Sequence, residues 1–116
     1  MRELNIGSKR FTHIVVLDEL GQGNACHLYN VRDVDNREAY AAVTFQNGPV
    51  GENGVNGCHQ EDLIAIVIDR LKSFQSGDFK CRENALALTK LEEAMHWLNH
   101  RTNERTNRGV EGKNIK

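Results

Sequence analysis

At 116 residues the chain has the size of one domain with a modest core, and with 39% hydrophobic but only 6% aromatic residues that core is expected to be aliphatic and completed by oligomerisation. A formal net charge of −1 argues against a broadly basic surface of the kind that binds DNA or RNA polymers. No run of about 18 apolar residues is present, so no membrane span is expected. Cys26, Cys58 and Cys81 form no CxxC pair and follow a polar N-terminus without a secretory signal, which reads as reduced thiols in a cytoplasm.

In chain order, residues 11–20 (FTHIVVLDEL) read as a strand that ends in GQGN, a turn-rich tetrapeptide. Residues 25–34 (ACHLYNVRDV) and 39–46 (AYAAVTFQ), either side of DNRE, alternate apolar and polar positions. The simplest assembly over residues 1–46 is a three-stranded antiparallel meander with one face packed and one wet. In residues 47–58 (NGPVGENGVNGC), Gly48, Gly51, Gly54 and Gly57 fall at every third position. The run is too short and too poor in proline for collagen, and it lacks both GK[ST] and a strand-to-helix GxGxxG. It reads as a long connecting loop, with the lining of a pocket as the alternative.

Residues 59–116 read as a helical hairpin with a basic tail. In QEDLIAIVIDRLKSFQSG, Leu63, Ile64, Val67, Leu71 and Phe74 share a helical face, while Glu61 and Asp62 suit the N-terminal dipole. Gly77 suits the C-cap, and Asp78 the N-cap of a second helix beginning near Phe79. In that helix Leu88, Leu91, Met95 and Leu98 recur at steps of three and four. Asn84 precedes this stripe by four residues, Arg105 follows Leu98 by seven, and Arg101 sits one turn before Arg105. From residue 101 to 116 there are five Lys/Arg and two Asp/Glu, a local excess of three positive charges. The fold class expected is α+β: an N-terminal antiparallel sheet followed by an antiparallel helical hairpin, in one domain spanning residues 1–116.

Several residues allow a plain structural reading beside a chemical one. Glu92, His96 and His100 lie at i, i+4 and i+8, a spacing able to hold a metal, but no further ligand is near in sequence except the distant Cys58–His59. A solvated helix flank is the favoured reading, and no metal or cofactor is expected. Trp97 reads as packing or interface. No Cys–His pair has a spacing that fixes an activated nucleophile, so no catalytic residues are assigned. Arg101, Arg105 and Arg108 could serve only to complement the helix C-terminus. Against that, Arg105 continues the packing stripe, where an unpaired charge is costly, and arginine suits forked hydrogen bonds to phosphate.

The run from GPVGENGVNG through EDLIAIVIDRLKSFQSGDF and CRENALALTKLEEAMHWLNHRT to RGVEG, roughly residues 47–112, resembles the Thoeris anti-defence (Tad) proteins of phages and prophages. The hairpin is also similar to that of the anti-CBASS sponge proteins. The resemblance implies a non-enzymatic sponge of the host bacterial cytoplasm. Such a protein binds cyclic ADP-ribose isomers made by bacterial TIR enzymes, glycocyclic ADP-ribose in particular, and assembles as a dimer or a trimer of dimers. Carried over by position, the ligand-binding residues implied are Phe74, Asn84, Arg101 and Arg105. A second set, Arg82, Thr89 and Glu93, is implied where the long helices of related hairpins gather around a three-fold axis and could meet a cyclic oligonucleotide. One departure from the family pattern is Asp78, which stands where a proline is associated with the SG-F turn.

Helix geometry adds a constraint. Asn84 and Arg101 are seventeen residues apart, about 25 Å along one helix at 1.5 Å per residue. A cyclic dinucleotide cannot bridge that distance within one chain. Sharing a ligand therefore requires two long helices, from two subunits, running antiparallel.

Overall fold

The computed structural model describes residues 1–7, 10–35, 37–109 and 112–113. Residues 110–111 and 114–116, which belong to the expected basic tail and include part of the RGVEG motif, lie outside the described residues. The chain forms two compact units, Met1–Cys58 and His59–Lys116.

The first unit is an antiparallel sheet in the order β1-β2-β3-β4, with β1 at Arg2–Glu3, β2 at Thr12–Val16, β3 at Leu28–Asp33 and β4 at Ala39–Thr44. The last three are the expected meander. The short β1 adds to it: Arg2 and Glu3 carry no apolar alternation, and only their pairing with Val16 and Val15 makes them a strand. Val15 and Val16 are both buried although adjacent residues point to opposite faces, so this end of β2 is covered on both sides. The connection from β2 to β3 is longer than a tight hairpin. It is organised by Asp18, whose carboxylate accepts the N–H of His27 at 2.9 Å and of Leu28 at 3.1 Å. Between β3 and β4 the register shifts at Val31/Arg32, which leaves Tyr40 as the extra residue of a bulge.

The glycine-rich stretch is more ordered than a plain connector. Its ends meet where Cys58 N–H donates to the Thr44 carbonyl and Gln46 N–H to the Cys58 carbonyl, both at 2.8 Å. The Gln46 side chain donates to the carbonyls of Gly48 and Gly54 and accepts from Asn56 N–H. Asn56 in turn exchanges two 2.7 Å hydrogen bonds with the Asn47 backbone. A single helical turn, α1 (Val50–Asn53), fits inside, started by Pro49 and ended by Gly54 at φ 70°. At Gly57 any Cβ would lie 2.5 Å from the Phe45 carbonyl carbon and 2.6 Å from the Thr44 oxygen, so no larger residue fits without displacing backbone.

The second unit is the hairpin of α2 (Gln60–Gln75) and α3 (Arg82–Asn107). Asp62 accepts the His59 N–H at 2.9 Å and so closes the start of α2. Ser76, not Gly77, is the C-cap of α2, with Gly77 one position beyond. The N-cap of α3 is Cys81 instead of Asp78, and the helix begins at Arg82 rather than near Phe79. The Cys81 thiol accepts the Asn84 N–H at 3.4 Å, and the Gln75 side chain accepts the Cys81 N–H at 3.0 Å. That cross-helix tie holds the chain out of helical conformation until residue 82.

Along α3 the half-buried positions are Asn84, Leu88, Leu91, Met95, Leu98, Thr102 and Arg105, with Ala94 beside them. Steps of four and three alternate without a break, the 3.5-residue seam of a helix packed lengthwise on another. On α2 the matching line is Glu61, Ile64, Ile68, Leu71 and Gln75, flanked by Leu63 and Phe74. Val67, expected on this face, is instead 44% exposed, and Ile68 takes its place. Lys72 reaches across to Glu92 at 3.8 Å. No residue of either helix is fully buried.

Candidate functional site

The α3 seam begins in an amide and ends in a guanidinium, and each end has its own cluster. At the hairpin turn, Phe74 is half-buried. The Phe79 ring meets it edge-on at 6.2 Å, and the Arg70 guanidinium lies over its face, 4.9 Å from the ring centre. Asn84 Nδ2 is 3.5 Å from the Phe79 carbonyl, at the limit of a hydrogen bond. Phe74, Phe79, Arg70 and Asn84 thus form one neighbourhood with an aromatic surface, a cation and an amide. Phe79 is 76% exposed, an unusual setting for a phenyl ring that has no structural task beyond the turn.

At the other end, Arg101, Glu104, Arg105 and Arg108 line a cavity of about 260 Å³. Their spacing of i, i+3, i+4 and i+7 places all four on one flank of α3. Arg105 Nη2 donates to the Lys113 carbonyl at 2.9 Å, which sets Lys113 beside it. Gly109 at φ 73° and Gly112 at φ 80° take left-handed conformations. Among the described residues that line the cavity are three guanidiniums and one carboxylate, and a guanidinium has the forked geometry that suits an oxyanion.

The structure therefore brings Phe74 and Asn84 together, and Arg101 and Arg105 together, at opposite ends of α3. The helix is unbroken from Arg82 to Asn107, so the separation of about 25 Å between Asn84 and Arg101 stands within one chain. Arg82, Thr89 and Glu93 are exposed and share a third surface. At 100° per residue they line up within about 40° of one another and about half a turn from the packing seam. Thr89 Oγ1 donates to the Ala85 carbonyl, and Glu93 lies 4.0 Å from Lys90. Leu86, 49% exposed, belongs to the same surface, and Trp97, 61% exposed, borders it.

Glu92, His96 and His100 follow one another along α3, but Glu92 is turned to Lys72, His96 rests against Trp97, and His100 lies 4.0 Å from Glu104. Among the described residues no group of three His, Cys, Asp or Glu side chains is gathered as a metal site. The three cysteines are free. Among the described residues no helix is long and apolar enough to cross a membrane.

Arg70, Phe79, Glu104 and Thr102 are not singled out by the sequence alone. Arg70 stands four residues before Phe74 and Glu104 three after Arg101, spacings that mark helical neighbours. Those spacings are the available signal. Thr102 fills the one gap in the seam between Leu98 and Arg105, and Phe79 has no periodic signal at all.

A sequence model of the Acb2/Tad1 hairpin domain matches residues 37–103, which takes in β4, the stapled loop, α2 and most of α3. A protein of Bacillus phage SBSphiJ7 named Thoeris anti-defense 1 is 55% identical over 92 residues, which is 79% of this chain. The matched stretch covers 63% of that relative's own length. With more than half of its residues inside the matched hairpin region, the chain belongs to the Acb2/Tad1 hairpin-domain family.

Proposed function

We propose that this protein is a phage anti-defence sponge: it binds a cyclic ADP-ribose-type signal made by TIR enzymes, glycocyclic ADP-ribose in particular, holds it intact in the host cytoplasm, and so inhibits Thoeris defence. The observation that carries the reading is the split of α3 into an aromatic–amide end and an arginine-lined end, each suited to half of such a ligand. Phe74 would stack on the adenine, a contact worth about 1–3 kcal/mol. Asn84 would read ribose hydroxyls or the base edge. Arg101 and Arg105 would grip the diphosphate, at about 1.5–3 kcal/mol for each charged hydrogen bond.

The length of α3 dictates the assembly that goes with this chemistry. Two chains pack their long helices antiparallel, so that Phe74 and Asn84 of one face Arg101 and Arg105 of the other, and a two-fold dimer holds two pockets. The half-buried seam and the absence of any fully buried residue in α2 and α3 support an interface of this kind. If three dimers join, the outward line of Arg82, Thr89 and Glu93 is where a cyclic oligonucleotide would sit. Nothing in the reading calls for turnover, and the chain needs no cofactor for binding.

Incubation with TIR-generated signal, removal of unbound material, heating and analysis of what is released tests the proposal. Intact signal in the supernatant supports a sponge, and a cleaved product makes the protein an enzyme. No captured nucleotide would favour the other reading, a protein-interaction or structural phage module. Its motivation is the exposed apolar side chains of Ile66, Leu86 and Trp97.

A further inference from the structure

The hairpin turn carries two aromatic rings, and the proposed adenine contact uses one of them. Phe74 is half-buried, and the Arg70 guanidinium lies over its ring, 4.9 Å from the centre. A base that stacks on Phe74 therefore takes the face away from Arg70. The Phe79 ring stands at 80° to Phe74 with the two centres 6.2 Å apart, and it is 76% exposed. Single exposed apolar side chains are ordinary on protein surfaces. Phe79 is not single: its ring adjoins Phe74, and its carbonyl is 3.5 Å from Asn84 Nδ2. Nor does the turn call for a phenyl ring, since turn positions favour glycine, proline and small polar residues.

We infer that Phe79 is a further ligand-contacting residue, a wall perpendicular to Phe74 that meets the rim of the adenine stacked there. The inference rests on the sponge reading for the identity of the ligand. Two rings at nearly a right angle cannot both stack on one flat base, so a base parallel to Phe74 turns its rim to Phe79. The positive C–H rim of a base against the negative face of a phenyl ring is the edge-to-face contact that aromatic pairs prefer. The Asn84 amide, held near the Phe79 carbonyl, stands beside the same rim, where its donors and acceptor can meet the base nitrogens. Stacking alone tolerates every base and every rotation about the stacking axis, because each base has a π-face. The wall and the amide together fix that rotation, and so set the direction in which the ribose and diphosphate leave the base.

The test uses the full chain with Phe79→Ala and Phe79→Leu, by calorimetry and by NMR of the adenine protons of the bound ligand. A phenyl face shifts a proton that points at it upfield, an effect that leucine lacks. Glycocyclic ADP-ribose is expected to bind about tenfold more weakly to Phe79→Ala and about threefold more weakly to Phe79→Leu. Helical circular dichroism and sedimentation should match wild type in both variants. One adenine proton of the wild-type complex should move downfield in Phe79→Leu. Wild-type affinity in Phe79→Ala, or adenine shifts that are the same in wild type and Phe79→Leu, would overturn the inference. Affinity lost together with the helical signal or the oligomer would also overturn it, by making Phe79 a packing residue. ADP, which has the same base without the ring closure, is measured alongside. A wild type that ignores glycocyclic ADP-ribose yet binds ADP with the Phe79-dependent shift sinks the sponge reading and leaves the wall standing. A wild type that binds neither overturns both.

Discussion

The two units of the chain solve the problem of small size in opposite ways. The sheet unit closes on itself: Val15, Val16, Cys26 and His27 are buried, and Asp18, Gln46 and Asn56 use their side chains to satisfy the backbone of their own loops. The hairpin has helices of 16 and 26 residues and buries no residue fully. The seam residues of α2 and α3 are half-buried against each other, and Ile66, Val67, Leu86 and Trp97, which lie outside the seam, are exposed. The closure of the sheet unit is of backbone polar groups and not of apolar surface, since Phe11, Leu20, Tyr40 and Val55 of that unit are also exposed. In the hairpin the half-buried seam runs out into arginines, and this is the surface on which the proposal rests. The proposed function therefore falls on the hairpin.

The comparison breaks most sharply at the seam itself. Leu91→Asp places a carboxylate at the centre of the α2–α3 contact, where an unpaired charge costs on the order of 3 kcal/mol or more. The expected outcome is loss of helical circular dichroism and of the proposed dimer in sedimentation. A variant that stays folded and dimeric despite the new carboxylate would show that the seam packs nothing. Next in size are Arg101→Ala and Arg105→Ala, each expected to weaken capture of glycocyclic ADP-ribose by about tenfold or more. The dimer should persist in both, and wild-type affinity by calorimetry would remove the arginines from the site. Smaller again is Gly57→Ala in the sheet unit. Its new methyl group would press on the backbone of Phe45 and Thr44, and a loss of about 1–2 kcal/mol is expected in thermal unfolding.

These expectations follow how much of each unit is legible in the sequence. The hairpin is legible because its signal is local: apolar residues at steps of three and four show a helical face without knowledge of its partner. Legibility ends where a contact outside that period decides. Cys81 caps α3 because Gln75, on the preceding helix, holds its N–H, and nothing in the local run of Gly77, Asp78 and Phe79 announces this. Val67 and Ile68 are equally apolar, and only the 3.5-residue seam selects Ile68. Strand β1 exists through its partner, since Arg2 and Glu3 have no pattern of their own. Turn α1 is concealed in a run whose glycines suggest only a loop. In the candidate site, continuing the stripe finds the arginines. It does not find Glu104, because a carboxylate in a basic tail reads as ordinary solvation until the cavity is seen.

The mildest expected effect concerns the polar closure of the sheet unit. Partial burial of Asp18 raises its pKa, but the N–H groups of His27 and Leu28, its own backbone amide and the charge of His27 together lower it below the ordinary aspartate value of 3.8. A carboxyl whose pKa is lowered on folding contributes stability that is fully present above its unfolded value and is lost as pH falls through the folded one. Asp18→Asn should therefore melt below wild type near pH 7, and the difference should narrow only once the pH drops beneath about 4. Thermal unfolding followed from neutral pH into acid measures both curves. Parallel curves throughout would mean that the charge of Asp18 is irrelevant and that its loop is held by shape alone. Convergence in acid would show that this unit, unlike the hairpin, draws its stability from anionic hydrogen bonds it makes to itself.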